Sequence, residues 1–174
     1  MKKLARLTAL LLTGALLLVL TACGAETEQQ AKQRLLKEIN SYRATLELDP
    51  LVEVKQLSDA EQAFIEPFRA AGKTELPLSE RDEATKLWSS MTAGRTPCGG
   101  FGLVVKRKGD HQPFEFFHFL SAKVPANTPE GKAELLAALR DSDFHAFDCK
   151  NCKNIGIAVV TIDGQMYWNC TVYD

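Results

Sequence analysis

Apolar residues recur along this chain in three rhythms: one long Leu- and Ala-rich run at the start, a helical period as far as residue 91, and short dense runs after residue 97. Leu35, Leu36, Ile39 and Tyr42 share a helical spacing with Gln33, Arg34 and Lys37 on other faces, and the helix they predict ends before Asp49-Pro50. A second helix is expected from Ser58-Asp59, where Glu61 stands three residues after Ser58 as in a capping box. It carries Ala63, Phe64, Phe68 and Ala71, stops at Gly72, and contains Pro67 at a place where proline can kink or split it. A third, from about Ser79 to Met91, sets Ala84, Leu87, Trp88 and Met91 on one face and ends at Gly94. After Pro97-Cys98-Gly99-Gly100 the period changes. Phe101 to Val105 reads as a buried strand, Lys108-Gly109-Asp110 as a turn, and Phe114 to Phe119 as a second strand completing a hairpin. Thr128-Pro129-Glu130 opens a fourth helix, with Thr128 as N-cap and Pro129 at the first helical position, and Leu135, Leu136, Leu139 and Phe144 follow. The chain closes with two β-rich runs, Ile155 to Ile162 and Met166 to Tyr173, joined by Asp163-Gly164, its strongest hairpin signal. Helices first, then strands with one helix between two hairpins, predict an α+β layered domain.

The opening run has a different meaning. Met1-Lys2-Lys3 is a basic flank, a Leu- and Ala-rich stretch follows, and small residues lead into Leu20-Thr21-Ala22-Cys23-Gly24, the layout of an export leader. A cysteine directly after Leu-Thr-Ala resembles the bacterial lipobox, in which the thiol is acylated and cleavage leaves it as a lipidated N-terminus. The resemblance implies that residues 1–22 are a lipoprotein signal peptide and that Cys23 carries a lipid. The chain is then expected to be anchored on the extracytoplasmic face of a cell membrane. Residues 23–30 become the lipidated cysteine and a polar tether, and residues 31–174 a single domain.

A mature chain of about 150 residues hides roughly 68–70% of its unfolded surface, enough for a real core. Losing Lys2, Lys3 and Arg6 with the leader takes the 21 basic residues to 18 against 22 acidic ones, a formal charge of −4. That balance lacks the concentrated basic footprint nucleic acid requires. It also gives no polybasic help at a membrane, so attachment rests on the lipid. No second apolar run approaches the roughly 18 residues that span a bilayer.

Four cysteines remain after Cys23: Cys98, Cys149, Cys152 and Cys170. An even number in an exported domain favours disulfides, and four thiols allow three pairings. Cys149-Lys150-Asn151-Cys152 has the spacing of a redox pair but no thioredoxin-like βαβ pattern around it. A four-cysteine zinc site needs Cys98 and Cys170 to reach the Cys-x-x-Cys in space. Disulfides lead these readings, and the sequence does not choose a pairing.

Three separated pieces are similar to the CAP superfamily (cysteine-rich secretory proteins, antigen 5 and pathogenesis-related proteins) in its compact bacterial form. Ile39-Asn40-Ser41-Tyr42-Arg43 with Leu46-Glu47-Leu48-Asp49-Pro50-Leu51 resembles the family's opening helix and following turn. Thr128-Pro129-Glu130 through Ser142-Asp143-Phe144-His145 resembles its later helix and turn. Ile155-Gly156-Ile157-Ala158-Val159 with Tyr167-Trp168 resembles its closing strand pair. The pieces keep the family's order and span nearly the whole mature chain. The resemblance implies an α-β-α sandwich with four main helices and a mostly antiparallel sheet.

Departures from the family bear on chemistry. Its metal-binding cleft places two histidines and acidic residues together, and the second histidine matches His145. The first corresponds to the segment Leu78-Ser79-Glu80-Arg81, which has no histidine, and residues 117–127 contain no acid where the family has one. Catalytic zinc takes about three protein ligands plus a water, so no metal site is expected. His118, among Phe114-Glu115-Phe116-Phe117-His118-Phe119, is read as packed rather than ligating. His145, Ser142, Glu80 and His118 are the candidate cleft residues. Ser142 and His145, three apart with Asp141 and Asp143 adjacent, have the residue types of nucleophilic catalysis, although such close neighbours rarely aim at one substrate. Asn40 and Arg43 share a helix face and are expected to tie it to nearby backbone, and Trp88 and Trp168 to pack in the core.

The expected function is that of a membrane-anchored extracytoplasmic lipoprotein. Its divergent CAP-like domain is read as a monomeric, non-catalytic binding or interaction module without a cofactor. The partner is expected to be an envelope component, a protein or a small apolar ligand, since some relatives are thought to bind lipids or sterols. The alternatives are a divergent cleft hydrolase, metal-assisted or not, using His145, and a purely structural envelope lipoprotein.

Overall fold

A computed structural model of the chain describes residues 26–107, 114–118, 123–141 and 143–174, with backbone alone for 103–107, 114–118 and 143–145. The segment expected to be a leader, with Cys23, the turn expected at Lys108-Gly109-Asp110, Phe119 and Ser142 lie outside the described residues. The elements run α1 (Glu28–Thr45), β1 (Val52–Glu53), α2 (Lys55–Ala71), α3 (Leu78–Met91), β2 (Pro97–Phe101), β3 (Leu103–Arg107), β4 (Phe114–His118), α4 (Pro129–Arg140), a 3-10 turn (Asp143–Asp148), β5 (Asn154–Ile162) and β6 (Gln165–Tyr173).

The β5–β6 hairpin forms the middle of a mixed four-stranded sheet. β1 pairs parallel to β5 at one edge and β2 pairs antiparallel to β6 at the other. Asp163 and Gly164 close the hairpin with φ of 49° and 74°, the pair of positive values that a two-residue I′ turn demands. β3 and β4 make a separate antiparallel ribbon, Leu103 opposite His118.

Side chains on β5 and β6 alternate between two apolar layers, as the pleat requires. Ile155, Ile157 and Val159, with Trp168, Cys170 and Val172, face Ala31, Leu35, Ile39 and Tyr42 of α1, Leu135 and Leu139 of α4, and Ala146 and Phe147 of the 3-10 turn. On the other face Ala158, Val160, Ile162 and Tyr173 meet Leu57, Ala60, Phe64, Ile65 and Phe68 of α2 and Ala84 and Trp88 of α3. Helices therefore cover both faces of the sheet. The middle strands are buried on both sides, which is why their sequences read as dense apolar runs rather than alternation.

Several details depart from the expectations drawn from sequence. α1 begins at Glu28, inside the stretch read as tether, because Thr27 and Gln30 form a reciprocal capping box ahead of the first apolar position. α2 begins at Lys55 with Val54 as an N-cap that offers no side-chain bond. Ser58 and Glu61 are therefore not its capping box. They point inward from its first turns, since a three-residue spacing is also one helix face. The Ser58 hydroxyl donates to Glu53 Oε1 at 2.7 Å and accepts from the Ile157 amide, while Glu61 Oε1 accepts from Trp88 Nε1 at 2.9 Å. α2 runs unbroken past Pro67. Leu87 does not join the buried face of α3; it is 49% exposed. Phe101 to Val105, read as one strand, is divided: Phe101 ends the edge strand β2, whose Pro97–Gly100 part is disguised by its Pro and Gly content, and β3 begins at Leu103 after Gly102 at φ 82°.

Candidate functional site

The C-terminal end of α1 is organised by two polar residues on its inner face. Asn40 bonds both ways with Leu51, its Nδ2 donating to the carbonyl at 3.0 Å and its Oδ1 accepting from the amide at 2.8 Å. Arg43 is fully buried and its guanidinium donates to four backbone carbonyls: Asp49 at 2.7 Å, Phe147 at 2.9 Å, Cys149 at 3.1 Å and Cys152 at 3.2 Å. Burial pulls its pKa below the usual arginine value, against the opposing attraction of Cys149, Asp49 and Asp148. One residue earlier, the Tyr42 hydroxyl donates to Asp148 Oδ1 at 2.7 Å. Burial first, and that hydrogen bond to a carboxylate second, push the phenol up to about 12. Residues 147–152 are thereby held against α1 without being part of a regular element longer than the 3-10 turn.

This held loop carries the sulfur chemistry. Of the four candidate cysteines, Cys98 on β2 and Cys152 just before β5 form a disulfide across 54 residues, with a Cα–Cα distance of 6.8 Å. Closing a loop of that length removes about 4 kcal/mol of chain entropy from the unfolded state in the loop-closure picture. Cys149 and Cys170 are free thiols and do not pair. Cys170 is on β6 and wholly buried, and burial pushes its thiol far up from the ordinary value, which makes it an inert core residue. Cys149 is half-buried, and its Sγ with those of Cys98 and Cys152 forms a group whose members all lie within 4.8 Å of one another. Among the described residues this is the single cluster of three or more side chains with metal-ligating atoms so close. The four-cysteine zinc arrangement does not form, because Cys170 is outside the group.

The residues expected to make a cleft fall in different parts of the fold. Glu80 is exposed in the first turn of α3, on the α2 face of the sheet. His145 belongs to the 3-10 turn, whose Ala146 and Phe147 pack into the α1 face; its side chain lies outside the described residues, as does all of Ser142. His118 ends β4, again with only its backbone described, and β4 lies beside α3. The sheet thus separates the elements carrying Glu80 and His145. The sequence leaves the cysteine pairing open and marks Arg43 as a tie to nearby backbone; what it does not show is that the carbonyls Arg43 meets belong to the Cys-x-x-Cys loop paired with Cys98. The available signal was a lone arginine one residue after Tyr42, on the apolar face of an otherwise amphipathic helix.

A groove of about 390 Å³ opens at the other end of α1, lined by Glu26, Arg34, Lys123, Pro125, Glu134 and Gln165. Arg34 grips Glu26 with two bonds of 2.7 and 2.8 Å and also donates to the Pro125 carbonyl at 2.9 Å. That bidentate bond holds the Glu26 carboxyl below the usual carboxylate range. Among the described residues no helix is long and apolar enough to cross a membrane. No protein-family model matches the chain, and a search of curated proteins finds no match.

Proposed function

We propose that the protein is an extracytoplasmic lipoprotein, anchored through Cys23, whose CAP-like domain serves as a non-catalytic binding module held against the membrane. The observation that carries this reading is how closely the described fold follows the lipobox-like segment. Glu26 is already tied to Arg34, and α1 is capped at Thr27. Only Gly24 and Ala25 lie between Cys23 and Glu26, three residue steps that reach about 10 Å when fully extended. A lipid on Cys23 would therefore hold the N-terminal end of α1, with its groove around Glu26 and Arg34, at the bilayer surface. The Arg43 end of the helix would stand about 25 Å further along its axis, at 1.5 Å per residue. The helices on both faces of the sheet support the layered arrangement that a CAP-like domain would have.

Fractionation of cells making the wild type and Cys23→Ala tests the anchor. The wild type is expected with the membranes and the variant in the soluble extracytoplasmic fraction; membrane retention of Cys23→Ala refutes lipidation. Chemical crosslinking in the same cells tests the binding role. A discrete crosslinked species is expected, unchanged in His145→Ala, and loss of that species only in Cys23→Ala ties binding to the anchored position.

A further inference from the structure

The disulfide that joins β2 to the loop before β5 has a third sulfur beside it. Cys149 is a free thiol, half-buried, with its Sγ within 4.8 Å of both sulfurs of the Cys98–Cys152 bond. We propose that Cys98, Cys149 and Cys152 form a thiol–disulfide exchange site, in which Cys149 displaces Cys98 and closes a Cys149–Cys152 disulfide.

The step balances within the chain. Cys149 gives up its proton and its thiolate attacks Cys152 Sγ. The Cys98–Cys152 bond breaks as the Cys149–Cys152 bond forms, the bonding pair leaves on Cys98, and that sulfur takes up a proton. One disulfide and one thiol stand on each side, so the exchange consumes no oxidant or reductant.

Burial decides which sulfur leaves. Cys152 is buried, and a thiolate stranded there would lose its hydration, whereas Cys98 is half-buried on the edge strand β2. Attack on Cys152 with departure of Cys98 is the favoured direction. The site is also held in place while its bonds change. Arg43 donates to the carbonyls of both Cys149 and Cys152, so the Cys-x-x-Cys loop stays fixed. The exchange trades a crosslink across 54 residues for one across three, releasing β2 at the point where its register on β6 already shifts, between Pro97 and Gly99. A reactive thiol then appears at the sheet edge in place of the one in the loop.

The test uses the full-length protein, extracted without reductant. After incubation at neutral pH it is labelled with an alkylating agent while folded, quenched in acid and mapped by mass spectrometry of its peptides. The expected result is label on both Cys149 and Cys98, with Cys98–Cys152 and Cys149–Cys152 linkages found together. Cys149→Ser should show the Cys98–Cys152 linkage alone and no label on Cys98. Cys98→Ser, treated with glutathione disulfide, should close Cys149–Cys152. Wild-type label confined to Cys149 with a single Cys98–Cys152 linkage overturns the proposal, as does recovery of three thiols with bound zinc. The wild-type measurement decides the matter even if a variant fails to fold.

Discussion

Replacing Arg43 with Met keeps a long apolar stem in the core and deletes the guanidinium. Four carbonyls lose their donor at once, those of Asp49, Phe147, Cys149 and Cys152. A hydrogen bond to a charged group contributes about 1.5–3 kcal/mol, so four taken separately reach roughly 6–12 kcal/mol. That sum is too large, because burying the guanidinium costs stability that Met does not incur. Each buried carbonyl left without a donor costs about 1–3 kcal/mol, and with the relief of the guanidinium's desolvation set against four of them the expected net loss is about 3–5 kcal/mol. Domains hold only about 5–15 kcal/mol in total. At about 2–4 °C per kcal/mol for a chain of this size, the midpoint should fall by roughly 6–20 °C. Thermal unfolding of the oxidised protein followed by circular dichroism measures it. Arg43→Lys should recover less than half, since one ammonium cannot face four carbonyls set around a planar fork. Native-state labelling of Cys149 should accelerate in both variants as the loop loosens. A midpoint for Arg43→Met within about 2 °C of wild type would falsify the idea that this guanidinium holds the loop.

A Cβ added at Gly156 would stand 2.6 Å from the Leu57 carbonyl oxygen and 2.7 Å from its carbon, so Gly156→Ala must push α2 off β5. A loss of about 1–3 kcal/mol is expected by denaturant titration, and an unchanged midpoint would show that the helix seats less closely. The Glu26–Arg34 pair should stabilise the fold above the ordinary carboxylate range and be lost as the pH falls below it, because the folded Glu26 has the lower pKa. Glu26→Gln should remove that part of the acid dependence, with an effect below about 1 kcal/mol at neutral pH for a partly solvated pair; a steeper acid loss in the variant would reverse the sign and refute the assignment. Ultraviolet titration should find one tyrosine ionising at about 12, absent in Tyr42→Phe, and its persistence in the variant would point to a different phenol.

Sequence reading located the elements better than it located the site. Asp163-Gly164 and Thr128-Pro129 carry their chemistry in adjacent residues, and both behave as read. Gly72 ends α2 in the left-handed conformation that its position suggested. Ser58 and Glu61 misled because a capping box and one helix face share a spacing, and only the neighbours Ile157 and Trp88 tell them apart. The sulfur cluster was out of reach for a related reason. Cys98 and Cys152 are 54 residues apart, and their meeting depends on β2 pairing with β6 through a segment rich in Gly and Pro. Arg43 was legible as a tie to backbone, but the loop it holds is defined only once the 3-10 turn is seated.

The β5–β6 hairpin, shared by both apolar layers, comes after every helix in the chain. As the chain emerges from a ribosome or a membrane pore, α1 to α4 appear before the surface on which they pack. Until Asn154 to Tyr173 has emerged, neither layer has a floor, and helices in proteins draw most of their stability from packing an apolar face rather than from propensity. The order of elements thus keeps the polypeptide loose until its last strands arrive, and then lets both layers consolidate together. A chain cut before Asn154 should remain unfolded however many of its helices it retains.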